Sequence, residues 1–337
     1  MERYFLGNNS AYGFWSNYEN ELKDKDKVVL LKGGPGTGKS SMLKKIANVA
    51  KNKGYDYELW YCSGDPKSLD GVFVKDVNVA VIDATSPHAV GADLPIIRDV
   101  IFDLATSLNE SMLLSNRQEI VELIKIKKQW FTRVYQHLKL AFCHLQAQFE
   151  LESQYINEGA IRAYATVVGK ELRAKCKSYS SCRKLFTKAI CPSGESEYFD
   201  FLRDKKIYKV CGLQKSKQVF FDELKNLMIG DTHILNALDP NVLDGIVLKN
   251  TAVVCELGHF ADGECERIDL GVYEKPIADG AVLEEKNEVA IEIAKAIECL
   301  NKARDTHLKI EEYFVPAMNF DNNDRIYRSV LKEVFGD

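Results

Sequence analysis

The sequence lacks the features of a membrane, secreted or nucleic-acid-binding protein. No apolar run approaches the roughly 20 residues that a membrane-spanning helix needs, and the N-terminal MERYFLGNNS lacks the basic-then-apolar layout of a secretory signal. Neither sign of charge dominates, because 45 basic and 49 acidic residues are mixed along the chain and leave a formal net charge of −4. We therefore expect a cytoplasmic protein with no membrane partner and no nucleic-acid partner.

Cysteine is present without an organised spacing. The nine cysteines are odd in number, none forms a CxxC pair, and no histidine lies at a zinc-ligand spacing from two of them. This pattern argues against a zinc site and against a disulfide framework. We interpret the thiols as reduced and mostly as core fillers.

The chain does contain the pattern of an α/β protein. At 337 residues it is longer than one hydrophobic core usually supports, so two domains are expected. KVVLLK at residues 27–32 predicts a buried parallel strand, the glycine-rich GGPGTGKS follows at once, and the next stretch predicts a helix. Further strands are predicted at residues 57–62 and 77–82, the second ending at Asp83. This order indicates an open α/β sheet.

Two other stretches predict helices outside the sheet. A capping box of Ser115 and Gln118 predicts the start of a long helix whose mostly apolar stripe includes Lys127 and Phe131. A second helix is predicted from about residue 159 to 176, and we interpret this region as a helical insertion or arm. Near the end of the chain, helices are predicted at about 282–313 and 324–334, separated by Pro316.

An internal repeat is visible in two segments. DPKSLDGVFVK at residues 65–75 and DPNVLDGIVLK at residues 239–249 share six identities in register. Asp65 and Asp70 recur in the second segment, and we interpret both as structural turn residues. Upstream, the best alignment places Gly34 against Gly212 and Lys39 against Lys217.

The repeat predicts two tandem P-loop NTPase-like units with mostly parallel sheets. We expect a first unit at 1–114, the helical insertion at 115–182, a degenerate second unit at 183–280 and C-terminal helices at 281–337. Where the first unit has Gly38, Lys39 and Ser40, the aligned residues of the second are Ser216, Lys217 and Gln218. The second unit is therefore predicted to have lost triphosphate binding.

The loop of the first unit satisfies the pattern GxxxxGK[ST] between a strand and a helix. Glycines let successive backbone N–H groups wrap a phosphate, and the following helix N-terminus adds partial positive charge. The sequence thus predicts a nucleotide site formed by Gly33, Gly34, Pro35, Gly36, Thr37, Gly38, Lys39, Ser40 and Ser41.

The predicted catalytic residues are Lys39, Asp83 and His88. Lys39 can reach the β- and γ-phosphates, while the Ser40 hydroxyl and the Asp83 carboxylate are the predicted Mg²⁺ ligands. Many P-loop ATPases have glutamate directly after the strand-end aspartate, whereas Ala84 stands here. His88 is a candidate γ-phosphate sensor or base, and a structural histidine is the alternative.

Several of these segments together resemble a known family. GGPGTGKSS, DPxxLDG, the strand-end Asp83 followed by TSPH, the CPSG at 191–194 and EEYFVPAMNFD at 311–321 resemble an uncharacterised bacterial family of tandem P-loop ATP-binding proteins. The resemblance implies nucleotide binding in both halves. This chain departs from that pattern at Ser216 and Gln218, and after His88 it reads AVGADLP, which lacks the longer acidic and glycine-containing loop associated with the family.

These observations leave three functions open. The first is a Mg²⁺-dependent ATPase that uses hydrolysis to move the arm or the second unit; ATP is preferred over GTP because no NKxD-type signature is visible in the first unit. The second is a small-molecule or nucleotide kinase. The third is a non-hydrolysing ATP-dependent switch that recruits a partner. The protein partner or small-molecule substrate and the oligomeric state are not predicted.

Overall fold

Two six-stranded sheets form the framework of the protein in the computed structural model, which describes residues 1–87, 89–174, 182–228, 231–257, 265–277 and 280–336. The first sheet has the order β1-β5-β6-β7-β4-β8 and contains β1 (Glu2–Tyr4), β4 (Lys27–Lys32), β5 (Tyr57–Tyr61), β6 (Leu69–Val74), β7 (Val79–Asp83) and β8 (Asp99–Asp103). The second has the order β9-β13-β14-β15-β12-β16 and contains β9 (Arg183–Leu185), β12 (Lys206–Cys211), β13 (Thr232–Leu235), β14 (Leu243–Val247), β15 (Thr251–Val254) and β16 (Glu266–Asp269).

The two sheets have the same topology. Each half also has a hairpin after its first strand, formed by β2 (Gly7–Ser10) with β3 (Gly13–Ser16) and by β10 (Lys188–Cys191) with β11 (Gly194–Glu197). Even an irregularity recurs, because the strand register shifts at Trp60/Tyr61 in the first sheet and at Ile234/Leu235 in the second. The internal repeat predicted from the sequence is therefore confirmed as a repeat of strand order.

Both sheets are mixed, which corrects the expectation of mostly parallel units. In the first sheet β6 runs antiparallel to β5 and β7, and in the second β14 runs antiparallel to β13 and β15. The links at 62–68 and 75–78 are shorter than the dozen or so residues that a parallel crossover needs, so β6 returns beside its neighbours. The other neighbouring strands of the first sheet pair in parallel, β1 with β5 and β4 with both β7 and β8.

Helices cover the outer faces of the sheets. On the first sheet, α2 (Lys39–Asn52) and α8 (Phe320–Phe335) bury apolar side chains against Val29 and Leu31. On the second sheet, α5 (Glu158–Ala174) and α6 (Gln214–Leu227) bury apolar side chains against the strands of that sheet. The inner faces of both sheets share one buried cluster that includes Trp60 and residues of α1 (Tyr18–Leu22). The two halves are therefore joined by a continuous apolar core.

A pair of long antiparallel helices, hereafter the arm, runs between the halves. It consists of α4 (Arg117–Glu152) and α7 (Gly280–Phe314), 36 and 35 residues long, which share an apolar seam. Despite this length, no helix in the described ranges is apolar enough to cross a membrane. Ser115 does not cap α4 as predicted, because it ends the short α3 (Glu110–Ser115) and Asn116 precedes α4.

The arm carries the last helix of each half to the sheet of the other half. α5 follows α4 in the first half of the sequence but packs on α6, and α8 follows α7 but packs beside α2. Equivalent backbone bonds mark the two arrivals, from Asn157 N–H to the Tyr273 carbonyl (2.9 Å) and from Asn319 N–H to the Ser107 carbonyl (2.7 Å). The helices at 115–182, predicted as an insertion, thus have their counterpart in those at 281–337.

Candidate functional site

A glycine-rich loop, residues 33–38, connects β4 to α2 at the carboxyl end of β4. Gly36 and Gly38 have φ angles of +66° and +82°, in the left-handed region that residues with a Cβ avoid. Gly38 directly precedes α2, so the positive end of the helix dipole opens into the loop. The buried Thr37 hydroxyl donates to the Gly34 carbonyl at 2.9 Å and holds the curve from within.

The ammonium of Lys39 bonds directly to this loop. It donates to the carbonyl oxygens of Gly33 (3.1 Å) and Gly34 (2.9 Å) and lies 3.7 Å from Oδ2 of Asp83. Asp83 ends β7, the strand next to β4, and its Oδ1 accepts bonds from the N–H (2.9 Å) and hydroxyl (2.5 Å) of Thr85. One carboxylate oxygen thus orders the following turn, and the other faces the loop lysine.

Further oxygen atoms lie beside this pair. The Ser40 hydroxyl accepts a bond from Leu69 N–H at 3.0 Å, which places it at the start of β6. The next residue of that strand, Asp70, is only 4% exposed and stands beside Asp83 at the end of the β6–β7 ladder. Hydroxyl and carboxylate oxygens are the ligands that Mg²⁺ prefers, so Ser40 and Asp83 suit the ion. Asp70 places a second carboxylate nearby.

The arm forms the far wall of a cleft of about 660 Å³ above the loop. Lys127 of α4 and Arg304, His307 and Glu311 of α7 line this wall. Lys127 Nζ lies 2.9 Å from Nδ1 of His307, and Nε2 of His307 lies 3.5 Å from a carboxylate oxygen of Glu311. Arg304 lies 3.9 Å from the carboxylate of Asp65 across the cleft. Charged groups from both halves of the sequence therefore surround the same space.

Electrostatic interactions link the arm to the loop. Burial lowers the pKa of Lys127 and the nearby Lys39 ammonium lowers it further, while Glu311 acts in the opposite direction. The pKa of Glu311 is itself lowered, first by its interaction with His307 and also by the nearby backbone N–H of Gly36. The side chain of Glu311 lies against Gly36, since a Cβ there would be 3.6 Å from its Cβ and Cγ, so a carboxylate of the arm stands near the loop N–H groups that an anion would use.

The equivalent place in the second half has no such loop. Only Gly212 and Leu213 separate β12 from α6, whereas residues 33–38 separate β4 from α2. The N-terminus of α6 is bonded to carboxylates of the chain itself, because Leu213 N–H donates to Glu274 (2.7 Å) and Lys215 N–H donates to Glu152 (2.7 Å). These carboxylates occupy the positive end of the helix where an anion would otherwise bind.

The strand ends correct the sequence alignment of the two loops. Gly33 and Gly212 each follow a strand directly, with φ angles of +151° and +143°, so Gly212 corresponds to Gly33 and not to Gly34. Lys39 is the first residue of α2, whereas Lys217 is the fourth residue of α6. The shorter connection shifts every later residue, and the two lysines are therefore not equivalent.

Most residues of the predicted site lie around one cleft. Gly33 to Ser41 and Asp83 all line it, while His88 lies outside the described residues and its role stays a prediction. The charged residues of the arm were missed because they are distant in sequence. Two signals could have indicated them: Lys127 is a charged residue within the apolar stripe of α4, and Arg304, His307 and Glu311 recur on one face of α7.

No family model, curated protein or solved structure matches this chain.

Proposed function

We propose that the protein is a P-loop NTPase that binds ATP with Mg²⁺ in the loop from Gly33 to Ser41. The observation that carries this proposal is the position of Lys39, whose ammonium bonds to a loop of left-handed glycines at a helix N-terminus and beside Asp83. Backbone N–H groups and the helix dipole at such a place favour phosphate. Lys39 adds a mobile positive charge for the β- and γ-phosphates.

Ser40 and Asp83 are the proposed Mg²⁺ ligands, with Asp70 beside them. In the described part of the chain, no group of three His, Cys, Asp or Glu residues is close enough to hold a metal by itself. Mg²⁺ in nucleotide sites is usually bound by one or two protein groups together with phosphate oxygens, so this donor set fits. When bound, the ion supplies positive charge that offsets the charge of the β- and γ-phosphates.

Binding is proposed to move the arm. A Cβ on Gly36 would lie 3.6 Å from Cβ and Cγ of Glu311, and a Cβ on Gly34 would lie only 2.6 Å from the Phe314 ring, so the end of α7 rests on the loop. A phosphate bound at the loop beside Gly36 would repel the neighbouring Glu311 carboxylate and move this end of the helix with it. Release of phosphate after hydrolysis would restore the contact, which makes the arm the moving part of the proposed ATPase.

A non-hydrolysing switch is the second candidate. The contact between Glu311 and the loop responds to binding alone, and Ala84 follows Asp83 where many ATPases have the glutamate that positions water. In this version ATP binding shifts the arm and a partner reads its position. Tight ATP binding with negligible turnover would favour the switch, whereas ADP release that rises with an added acceptor would support the kinase.

The proposal is tested by steady-state turnover of ATP with Mg²⁺. Lys39→Ala is expected to lower turnover by about 100-fold or more, because the charge on the transferred phosphate loses its main protein cation. Lys217→Ala is the matched control, since it removes a lysine from α6 of the second half, and it should keep wild-type turnover. Equal turnover in wild type and Lys39→Ala would show that the activity does not come from this loop.

A further inference from the structure

The ammonium of Lys127 lines the cleft and has a histidine as its hydrogen-bond partner. Its ammonium donates to Nδ1 of His307 at 2.9 Å, and in the part of the chain that the structure describes it forms no ion pair with a carboxylate. The other ring nitrogen of His307 faces Glu311 at 3.5 Å, so the imidazole is held from the same face of α7. A partly buried ammonium that bonds to a ring nitrogen and not to a carboxylate remains able to bind an anion.

Two ammonium groups therefore share the cleft. Lys127 and Lys39 both line it, one from the arm and one from the loop, and they are close enough to repel each other. Cys62 and Glu311 are the other titratable groups that act on Lys127. An anion bound between two like charges lowers the repulsion between them.

The fold itself allows the two ends of the arm to be compared. After α4, Ile156 forms a backbone bridge with Glu274, and after α7, Met318 forms the corresponding bridge with Leu108. These bridges fix which residues of α4 and α7 are equivalent. The last turns of each helix, which directly precede its bridge, lie near the site of the opposite half.

The equivalent residues differ in chemistry. Counted back from the bridges, Lys127 corresponds to Val289 and His307 corresponds to Leu145. Val289 and Leu145 both pack against the apolar cluster of the arm. The charged pair thus lies at the half that has the glycine-rich loop, and an apolar pair lies at the half that lacks it.

We propose that Lys127 contacts the terminal phosphate of the bound nucleoside triphosphate and that His307 positions its ammonium. This inference rests on the proposed function and adds a specificity to it. Lys39 holds the phosphates from the loop, and Lys127 reaches the terminal phosphate from the arm. A diphosphate lacks the group that Lys127 contacts, so the arm distinguishes ATP from ADP.

The test is calorimetric titration of Mg²⁺-ATP and Mg²⁺-ADP into the full chain. Lys127→Met keeps an unbranched side chain of nearly the same length and similar helix propensity but removes its charge. We expect ATP affinity to fall about tenfold or more, as for loss of a charged hydrogen bond, and ADP affinity to change less than about twofold. Lys125→Met is the matched control, because Lys125 is exposed on the same helix and pairs with the exposed Glu122 at 3.5 Å. It should change neither affinity.

Each outcome separates the two proposals. Wild-type protein that binds neither nucleotide contradicts the proposed function. Wild-type protein that prefers ATP, with the same preference in Lys127→Met, contradicts only the role of Lys127, as does an equal loss of both affinities. If circular dichroism shows that methionine disturbs the arm, Lys127→Arg and Lys127→Gln replace it, the first keeping the charge and the second removing it. A preference for ATP that Lys127→Arg retains supports the contact. A preference in Lys127→Arg that is no greater than that in Lys127→Gln contradicts it.

Discussion

At the scale of single residues, Arg183 joins the two halves through buried carboxylates. Its guanidinium donates to Glu21 (2.9 Å) and Glu58 (2.6 Å), and the Tyr4 hydroxyl bonds to the same Glu58. Glu58 is only 2% exposed. Burial alone would raise the pKa of its carboxyl, but Arg183 and then Lys75 outweigh burial and hold the pKa below its ordinary value of 4.5. The pair therefore contributes stability only while Glu58 is ionised.

This pair predicts a defined dependence of stability on pH. Because the folded-state pKa is lower than the unfolded one, the contribution is complete above the unfolded pKa and is lost as pH falls through the folded pKa. Glu58→Gln should lower the free energy of unfolding by about 3 kcal/mol at neutral pH. Urea denaturation should show this difference shrinking towards about pH 4 and below.

The exposed neighbour Glu19 provides the control. Glu19→Gln removes a carboxylate from α1 without touching the buried cluster, so its stability should follow wild type at each pH. A difference between wild type and Glu58→Gln that stays constant with pH would contradict the assigned ion pair.

The residues of the loop could be predicted because their roles depend on neighbours in sequence. Glycine spacing, a lysine and a hydroxyl within eight residues specify a local conformation between a strand and a helix. Asp70 was interpreted as structural, and its place beside Asp83 follows only from the antiparallel pairing of β6 and β7. Lys127 and His307 meet across two helices, and no local pattern states which helices pair.

At the scale of elements, α4 ends where α6 begins. Glu152 closes α4, is 2% exposed, and accepts bonds from Lys215 N–H (2.7 Å) and from the side chain of Gln148 (2.7 Å). A carboxylate at a helix N-terminus satisfies a free backbone N–H and interacts favourably with the helix dipole. The last turn of α4 therefore stabilises the first turn of α6.

Glu152→Ala tests this contact between helices. We expect the free energy of unfolding to fall by about 1–2 kcal/mol, the range found for loss of an N-terminal cap. Glu150→Ala is the matched control, because Glu150 is exposed on the same turn of α4 and should leave stability unchanged. Thermal or urea denaturation compares the two variants. Equal stability of Glu152→Ala and wild type would show that the carboxylate is not needed at α6.

Elements with a clear period were predicted more reliably than their pairing. The strand before the loop, the helix after it and the long helix of the arm follow from the spacing of apolar residues. The sequence does not predict β6 as a strand. Its antiparallel direction, and with it the mixed sheet, follows from its short link to β5. The start of α4 was misplaced because Ser115 can equally end a preceding helix.

At the scale of the whole molecule, the two halves share a topology but differ at their loops. Repetition was visible in the sequence because DPxxLDG recurs, and the common strand order bears it out. The exchange of α5 and α8 between the sheets was not visible, since an apolar helix face does not specify which sheet it covers. The first half supplies the loop, and α7 of the second half supplies most of the charged wall of the cleft.

The asymmetry of the two halves is the central claim, and the number of ATP molecules bound by one chain tests it most directly. In calorimetric titrations with Mg²⁺-ATP, we expect one molecule per chain in wild type and in Lys217→Ala, and no measurable binding in Lys39→Ala. One intact loop predicts this result, because carboxylates fill the corresponding place in the second half. Binding of two molecules per chain, or undiminished binding by Lys39→Ala, would contradict it.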